Sequence, residues 1–129
     1  MSHLVAVGLG GGVGSILRFA LTRLAERTVI AAGLPLGTLI VNVTGCLGVG
    51  LLFGWAPWRG NTDHVLHRLL AFGFLGGFTT FSAFGLEAVQ LVRQGETWRA
   101  VSHIGLHLIL GFVAVAVGLI CGGQLRGGE

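Results

Sequence analysis

Charged side chains are scarce in this chain. They make up 10% of its 129 residues, whereas 53% are hydrophobic, and the mean hydropathy is +0.84. A soluble domain normally carries charge on about a quarter of its residues, because these side chains cover its surface. The composition therefore excludes an ordinary soluble domain, and the length suits one domain spanning residues 1–129.

Lysine is absent, and the eight basic residues are all arginine. A net charge of +3 and a pI of about 10.2 suit a nucleic-acid partner only when the basic side chains cluster. Here the arginines are scattered and lie mostly at the ends of apolar runs. We therefore expect no nucleic-acid partner.

Cysteines are few, and the usual catalytic motifs are missing. Cys46 and Cys121 lie inside apolar runs without metal-ligand spacing, which predicts packing residues and no disulfide. The chain has no G-x-S-x-G or H-E-x-x-H motif, no paired carboxylates and no phosphate-binding loop. The sequence thus predicts a protein that is not an enzyme.

Long apolar runs are what the chain has instead. Four of them reach the length needed to cross a bilayer, at about residues 4–21, 36–55, 69–92 and 101–122. They predict an all-α membrane protein with four transmembrane helices in contact with lipid. We expect it in a cell membrane as a multi-pass protein.

Glycine is abundant, with 24 residues, and follows a spacing typical of helix contacts. Two glycines four residues apart lie on one helix face and allow a second helix backbone to approach closely. Such pairs occur at Gly10/Gly14, Gly50/Gly54, Gly73/Gly77 and Gly118/Gly122. The pattern predicts a tightly packed helix bundle.

The arginines give almost no preference for one membrane orientation. With four spans, one side of the membrane receives Arg59, Arg68 and Arg126, and the other receives Arg23, Arg27, Arg93 and Arg99. Positive charge normally accumulates on the cytoplasmic side. A chain without this bias can insert both ways, and four short helices are few to enclose a pore. An antiparallel, dual-topology homodimer answers both facts.

The third apolar run contains an unusual stretch at residues 73–84, GFLGGFTTFSAF. Adjacent glycines weaken the helix at its centre, and hydroxyl residues follow at once. Irregular backbone at membrane depth is tolerated only where protein or a polar cavity receives it. The stretch predicts a helix broken between Gly76 and Thr80, which presents carbonyls, hydroxyls and aromatic edges to an ion.

Uncharged polar residues in the second run share one helix face. Thr38 and Asn42 are four residues apart. The amide of Asn42 lies near mid-span, where it could bond a neighbouring helix or donate N–H groups to an anion.

Two charged residues lie near the ends of the spans. Arg18 is either an arginine reaching the interface or a positive charge that attracts anions at a vestibule. Glu87 is either a carboxylate that pairs between helices or a residue at a pore mouth. The sequence leaves both pairs of alternatives open.

The fourth run has one polar cluster, formed by Ser102, His103 and His107. Its histidines are one helical turn apart, but no third ligand on this helix completes a metal site. A polar track along a conduit, or a bond to a neighbouring helix, is the better interpretation.

Three stretches together resemble the Fluc (CrcB) family of fluoride channels. They are GGVGSILRF at residues 11–19, GTLIVNVTG at 37–45 and the stretch at 73–84. The resemblance implies passive export of fluoride across a bacterial inner membrane by an antiparallel homodimer with two pores. It also implies a structural sodium ion at the dimer centre, held by the backbone carbonyls of Gly76 and Thr79.

The same resemblance implies roles for individual side chains. Asn42 would bond fluoride, and Phe81 and Phe84 would offer electropositive ring edges. Further members of the pathway would be Thr38, Thr80 and Ser82, with Arg18 and Glu87 near the vestibules. Family members often carry tyrosine and serine in the fourth helix. This chain has no tyrosine, and His103 and His107 occupy that region.

Two other functions are compatible with four short apolar helices. A small dual-topology drug/proton antiporter also uses four short helices, but it needs a membrane-embedded carboxylate, usually in the first helix. Here the first run carries Arg18 and no acid. A non-transporting membrane scaffold would use the glycines for packing and Asn42 as a bond between helices.

Overall fold

Helices account for all the regular structure in the described part of the chain, which is residues 2–28, 34–56 and 64–127 of a computed structural model. The elements are α1 (Ser2–Thr28), α2 (Leu36–Trp55), α3 (Val65–His67), a π-helical segment (Arg68–Leu75), α4 (Gly76–Phe78), α5 (Phe81–Arg93) and α6 (Thr97–Gly127). Arg59 and the side chain of Arg126 lie outside the described residues.

Four of these helical stretches are long and apolar enough to cross a membrane, which confirms the predicted all-α architecture. They are His3–Arg27, Leu36–Trp55, Val65–Arg93 and Thr97–Leu125. Many large apolar side chains on their outer faces are exposed, including Phe112 at 73%. Such surface is incompatible with water and suits lipid or another chain. The protein is therefore a multi-pass membrane protein.

The third membrane-spanning helix is irregular along half its length. Residues Arg68–Leu75 form a π-helix, a geometry that is rare and recurs at functional sites. The chain returns to an α-helix at Gly76–Phe78 and then loses helical geometry at Thr79 and Thr80. The predicted break between Gly76 and Thr80 is thus narrower than expected, because both adjacent glycines remain helical.

Glycines bring α1 against the first half of the third helix. A Cβ atom added at Gly10 or Gly14 would overlap the backbone of residues Leu69 to Phe78, and one at Gly77 would overlap the backbone of Gly11. A Cβ at Gly73 would approach Val7 and Gly10 in the same way. Only glycine permits two backbones to lie this close.

A second glycine contact joins α2 to α6. Gly50 faces the backbone around Gly118, and Gly54 faces Leu119 and Gly122. These two helices have the most extensive contact in the bundle. Every one of the four predicted glycine pairs therefore lies at a close helix–helix approach, as the spacing indicated.

Candidate functional site at the helix break

Two threonines form the break in the third helix. Thr79 has φ −82° and ψ 156°, and Thr80 has φ −147° and ψ 119°, so both are extended. The Thr80 hydroxyl then starts α5 by accepting a hydrogen bond from the Ala83 N–H at 3.2 Å. A threonine in extended geometry that accepts such a bond is a favourable N-cap. The local sequence Thr-Thr-Phe-Ser-Ala therefore restarts the helix at Phe81.

Asn42 occupies the gap that the break opens. Its Nδ2 donates to the Thr80 carbonyl oxygen at 2.9 Å, and its Oδ1 accepts from the Thr80 N–H at 2.9 Å. The amide thus replaces the helical acceptor of the Thr80 N–H, which lipid would leave unpaired, and adds a donor to the Thr80 carbonyl at the start of α5. One Nδ2–H remains beyond these two bonds. Interhelical bonding and an anion contact are therefore compatible roles for this side chain.

The break also leaves carbonyl oxygens without their usual helical donors. The Thr80 N–H, which would bond the Gly76 carbonyl in a continuous helix, donates to Asn42 instead. The Ala83 N–H, which would bond the Thr79 carbonyl, donates to the Thr80 hydroxyl. Gly76 and Thr79 therefore each contribute a released carbonyl.

A third released carbonyl, that of Gly77, is held by α1. It accepts from the Arg18 Nε at 3.1 Å and from the Ser15 hydroxyl at 3.3 Å. The sequence suggested an interfacial or vestibule position for Arg18 and missed this backbone contact. The spacing of Ser15 and Arg18, three residues apart and hence on one face, was the available signal.

A cavity of about 420 Å³ opens beside the break. Its lining includes Gly76 and Thr79, whose carbonyls are released by the break. Gly77, whose carbonyl bonds Arg18 and Ser15, does not line it. The remaining lining residues are Asn42, Gly45, Cys46, Val49, Ala71, Leu75, Thr80, Phe81, Phe84, His107 and Leu108. No acidic residue is among the described residues that line it. The cavity is therefore apolar with a few uncharged polar groups.

Aromatic rings flank one side of this cavity. The ring centroids of Phe81 and Phe84 are 5.5 Å apart, and Phe84 also packs on His107 at 4.5 Å and on His103 at 5.4 Å. Phe81 is 82% exposed, so most of its ring lies outside the single chain. The edges of aromatic rings carry partial positive charge. The arrangement can therefore offer weak electropositive contacts to an anion.

Glu87 lies at a second cavity, of about 300 Å³, near the end of α5. One carboxylate oxygen accepts a hydrogen bond from Thr38, and the other lies 3.4 Å from the Nε2 of His103. Gln90 and Gln94 also line this cavity. Glu87 therefore contacts two other helices and faces a polar opening at the same time.

The functional residues predicted from the sequence lie partly at the cavity beside the break and partly around Glu87. The cavity at the break holds Asn42, Thr80, Phe81, Phe84 and His107 together with the two carbonyl residues. The hydroxyl of Ser82 lies 3.2 Å from that of Thr80, at the edge of the break. Thr38 and His103 lie with Glu87 away from this cavity, and Ser102, half-buried, lines neither cavity.

The released carbonyls of Gly76 and Thr79 have the chemistry of an alkali-cation site. Neutral backbone oxygens bind hard cations by replacing part of their hydration shell. Within the described residues, no group of three or more His, Cys, Asp or Glu side chains could hold a metal ion. Two carbonyls do not fill a cation's coordination shell, so a complete shell needs further ligands.

Sequence comparison relates the chain to known proteins. A family profile described as "CrcB-like protein, Camphor Resistance (CrcB)" matches residues 5–119. A protein of Hyphomonas neptunium named "Fluoride-specific ion channel FluC" is 42% identical over 120 residues, which cover 92% of this chain and 94% of that one. A protein of the same name from Paracoccus denitrificans is 43% identical over 123 residues, covering 95% and 96%.

A third relative matches almost end to end. "Fluoride-specific ion channel FluC 1" of Carboxydothermus hydrogenoformans is 37% identical over 129 residues, which cover 99% of both chains. The residues matched by the family profile, 5–119, include the helix break and its partners Asn42 and Arg18. The relatives match 92% to 99% of the chain. The chain therefore belongs to the CrcB family, whose members are transporters of ions rather than enzymes.

Proposed function

We propose that this protein is a fluoride-selective channel through which fluoride leaves the cytoplasm passively. The observation that carries the proposal is the cavity at the break, where an amide and two aromatic rings meet without an acidic side chain. The side chains of this lining present hydrogen-bond donors and ring edges, which stabilise an anion. The printed names of the relatives support fluoride as that anion.

Fluoride binds its water strongly, so a selective path must replace that water with fixed donors. The Asn42 amide is held rigidly by its two bonds to Thr80, which directs its remaining N–H without a loss of side-chain freedom. Hydrogen bonds are stronger inside a protein than in water because the local dielectric constant is lower. A rigid donor in an apolar cavity is therefore suited to a small, hard anion.

The alternative of a drug/proton antiporter needs an acid at the substrate site, and none of the described residues that line the cavity at the break is acidic. That mechanism uses an acid to exchange protons for a cationic substrate. Glu87, which bonds Thr38, does not line the cavity at the break. Glu26, the acid of α1, lies at the end of that helix and pairs with Arg23.

An antiparallel homodimer completes the proposed channel. A Phe81 ring that is 82% exposed has little to contact within one chain. The cavity at the break is also open on one side, with Phe81 at its rim. A second, inverted copy would cover both features, and the even distribution of arginines supports that topology. We place this dimer in the bacterial inner membrane.

The dimer also supports the proposed sodium ion. Two carbonyls from each chain, those of Gly76 and Thr79, would provide four neutral ligands around a shared axis. Such a set suits a monovalent cation that stays bound while anions pass nearby. The ion would supply positive charge and would join the two broken helices at the dimer centre.

The proposed function is tested with purified protein in liposomes. Fluoride and chloride efflux are followed with ion-selective electrodes while valinomycin and potassium compensate the charge. We expect rapid release of fluoride and retention of chloride. Release no faster than from protein-free liposomes would refute the channel. Release that needs an opposing proton gradient would favour an antiporter instead.

Replacing the exposed ring at the cavity rim is expected to slow fluoride. Phe81→Ile keeps an apolar side chain but removes the electropositive ring edges. A loss of about 1–2 kcal/mol of anion stabilisation would reduce flux about five- to thirtyfold. Phe112→Ile is the matched control, because Phe112 is 73% exposed and does not line the cavity. Equal flux in both variants would contradict a role for the Phe81 ring.

Sodium removal is expected to destabilise the dimer. A ligand present at about a hundred times its dissociation constant stabilises the folded state by about 2.7 kcal/mol. The midpoint of thermal unfolding in detergent should therefore fall when N-methylglucamine replaces sodium, and recover when sodium returns. An unfolding midpoint that does not depend on sodium would argue against the site.

A further inference from the structure

Three titratable side chains meet between the two cavities. His107 lines the cavity at the break, Glu87 lines the cavity near the end of α5, and His103, 1% exposed, lies between them. The centroids of the two imidazole rings are 4.4 Å apart, and the Nε2 of His103 lies 3.4 Å from Oε2 of Glu87. We call Glu87, His103 and His107 the Glu–His cluster.

Each member of the Glu–His cluster has a buried polar atom without a hydrogen-bond partner. These atoms are Oε2 of Glu87, Nε2 of His103 and Nε2 of His107. Buried polar atoms are nearly always paired, so three together need an explanation. The first two face each other and would be satisfied by one shared proton. The third makes no hydrogen bond within the described residues, although the backbone of Thr38 in α2 lies close enough to interact with the His107 ring.

The hydrogen bond of His107 determines which of its nitrogens carries hydrogen. Its Nδ1 lies 3.0 Å from the backbone carbonyl oxygen of His103, one turn earlier in α6. A carbonyl oxygen can only accept, so Nδ1 must donate. In the neutral ring, Nε2 then carries no hydrogen, and its lone pair repels an anion. In the protonated ring Nε2 becomes an N–H donor, which attracts one.

We propose that the Glu–His cluster binds protons and thereby makes fluoride flux depend on pH. The proposal rests on the proposed channel function. With the carboxylate ionised and both rings neutral, the cluster carries one negative charge. One added proton makes it neutral, and a second gives it one positive charge while His107 gains a donor. Acidification therefore favours fluoride between the cavities.

The surroundings of the cluster support this sign of the effect. From α2 it meets Thr38, whose hydroxyl bonds Glu87. From α5 it meets Phe84, whose ring packs on both histidines. From α1 the charge of Glu26 acts on Glu87. Cys46 of α2 lines the same cavity as His107. None of these described neighbours is cationic, so added protons supply the positive charge.

The first test measures fluoride efflux at equal pH on both sides of the liposome membrane. Lowering the pH from about 8.5 to about 6 spans the range in which histidine titrates. Efflux per protein should rise at least about fivefold, since charges this close in a protein interior interact strongly. Protein-free liposomes measure the leak of neutral hydrogen fluoride, which is subtracted. A flux that is constant or falls on acidification would overturn the proposal.

Variants assign the pH dependence to the cluster. His103→Tyr with His107→Ser removes both imidazoles and leaves a hydroxyl at each position, and we expect the flux of this double variant to change less than about twofold over this range. His107→Gln should show a weakened dependence. His64→Asn is the control, because it removes an exposed histidine and retains an acceptor for the Leu66 N–H. A double variant with the full pH dependence would contradict the proposal.

A spectroscopic measurement separates this proposal from the channel itself. Nitrogen-15 NMR of the labelled imidazoles should show His107 as the Nδ1–H tautomer at high pH and as imidazolium at low pH. If no fluoride flux occurs at any pH, the channel function fails, and this titration alone decides whether the cluster binds protons. A His107 that is an Nε2–H tautomer, or two histidines that never titrate, would overturn the cluster's role.

Discussion

Asn42→Asp is expected to stop fluoride flux, although the variant protein should still insert into the membrane and assemble. The carboxylate cannot donate to the Thr80 carbonyl, so the 2.9 Å bond from Nδ2 is replaced by repulsion between two oxygens. It also introduces negative charge at mid-membrane, which costs about 2.5–3.5 kcal/mol in transmembrane helices. An anion meeting that charge should pass at least about a hundredfold more slowly.

Liposome efflux of fluoride measures this effect, and Asn42→Ala separates its two causes. The alanine variant loses both bonds to Thr80 without adding charge. Leaving a buried group unpaired costs about 1–3 kcal/mol, so we expect an intermediate reduction of flux in this variant. Size-exclusion elution and helical circular dichroism verify that each variant is assembled. An assembled Asn42→Asp protein with normal flux would refute the role of this amide.

Gly118→Leu is expected to prevent α6 from packing on α2. A Cβ at this position would lie 2.5 Å from the Leu47 carbonyl oxygen and 2.7 Å from the Leu51 nitrogen. These are backbone atoms inside a helix, so they cannot rotate away as a side chain could. Overpacking of a well-filled interior costs about 1–3 kcal/mol, and a leucine against two backbones should exceed that range. We expect little folded protein.

Gly123→Leu is the control for this substitution, because no atom lies within 4 Å of a Cβ built at Gly123. It adds the same side chain to the same helix, five positions later, and should leave the protein folded. Resistance to unfolding by sodium dodecyl sulfate compares the two variants. Equal resistance would mean that α2 and α6 do not rely on the close approach at Gly118.

Properties that depend on periodicity could be predicted from the sequence. The four apolar runs corresponded to the four membrane-capable helices because spanning length and composition suffice to define them. The four glycine pairs lay at helix contacts because two small residues one turn apart create a groove of backbone width. Neither conclusion required knowledge of which helix packs on which.

Features that depend on tertiary partners could not be predicted from the sequence. Gly76 and Gly77 have low helix propensity, yet both stay helical, and Gly77 packs directly on the backbone of Gly11 in α1. The bond from Arg18 to the Gly77 carbonyl joins residues 59 positions apart, and the shared face of Ser15 and Arg18 does not indicate which helix it meets. The contact of Glu87 with His103 likewise depends on how α5 lies against α6.

The partners of the helix break have a consequence for biogenesis. Asn42 and Arg18, which satisfy the Thr80 and Gly77 backbone, both precede the break in the chain. Without them, the third helix would hold unpaired backbone groups in hydrocarbon, each of which costs several kcal/mol. Because translation proceeds from the N-terminus, α1 and α2 reach the bilayer first. The order of the helices therefore lets the broken segment meet its stabilising side chains as it leaves the insertion machinery.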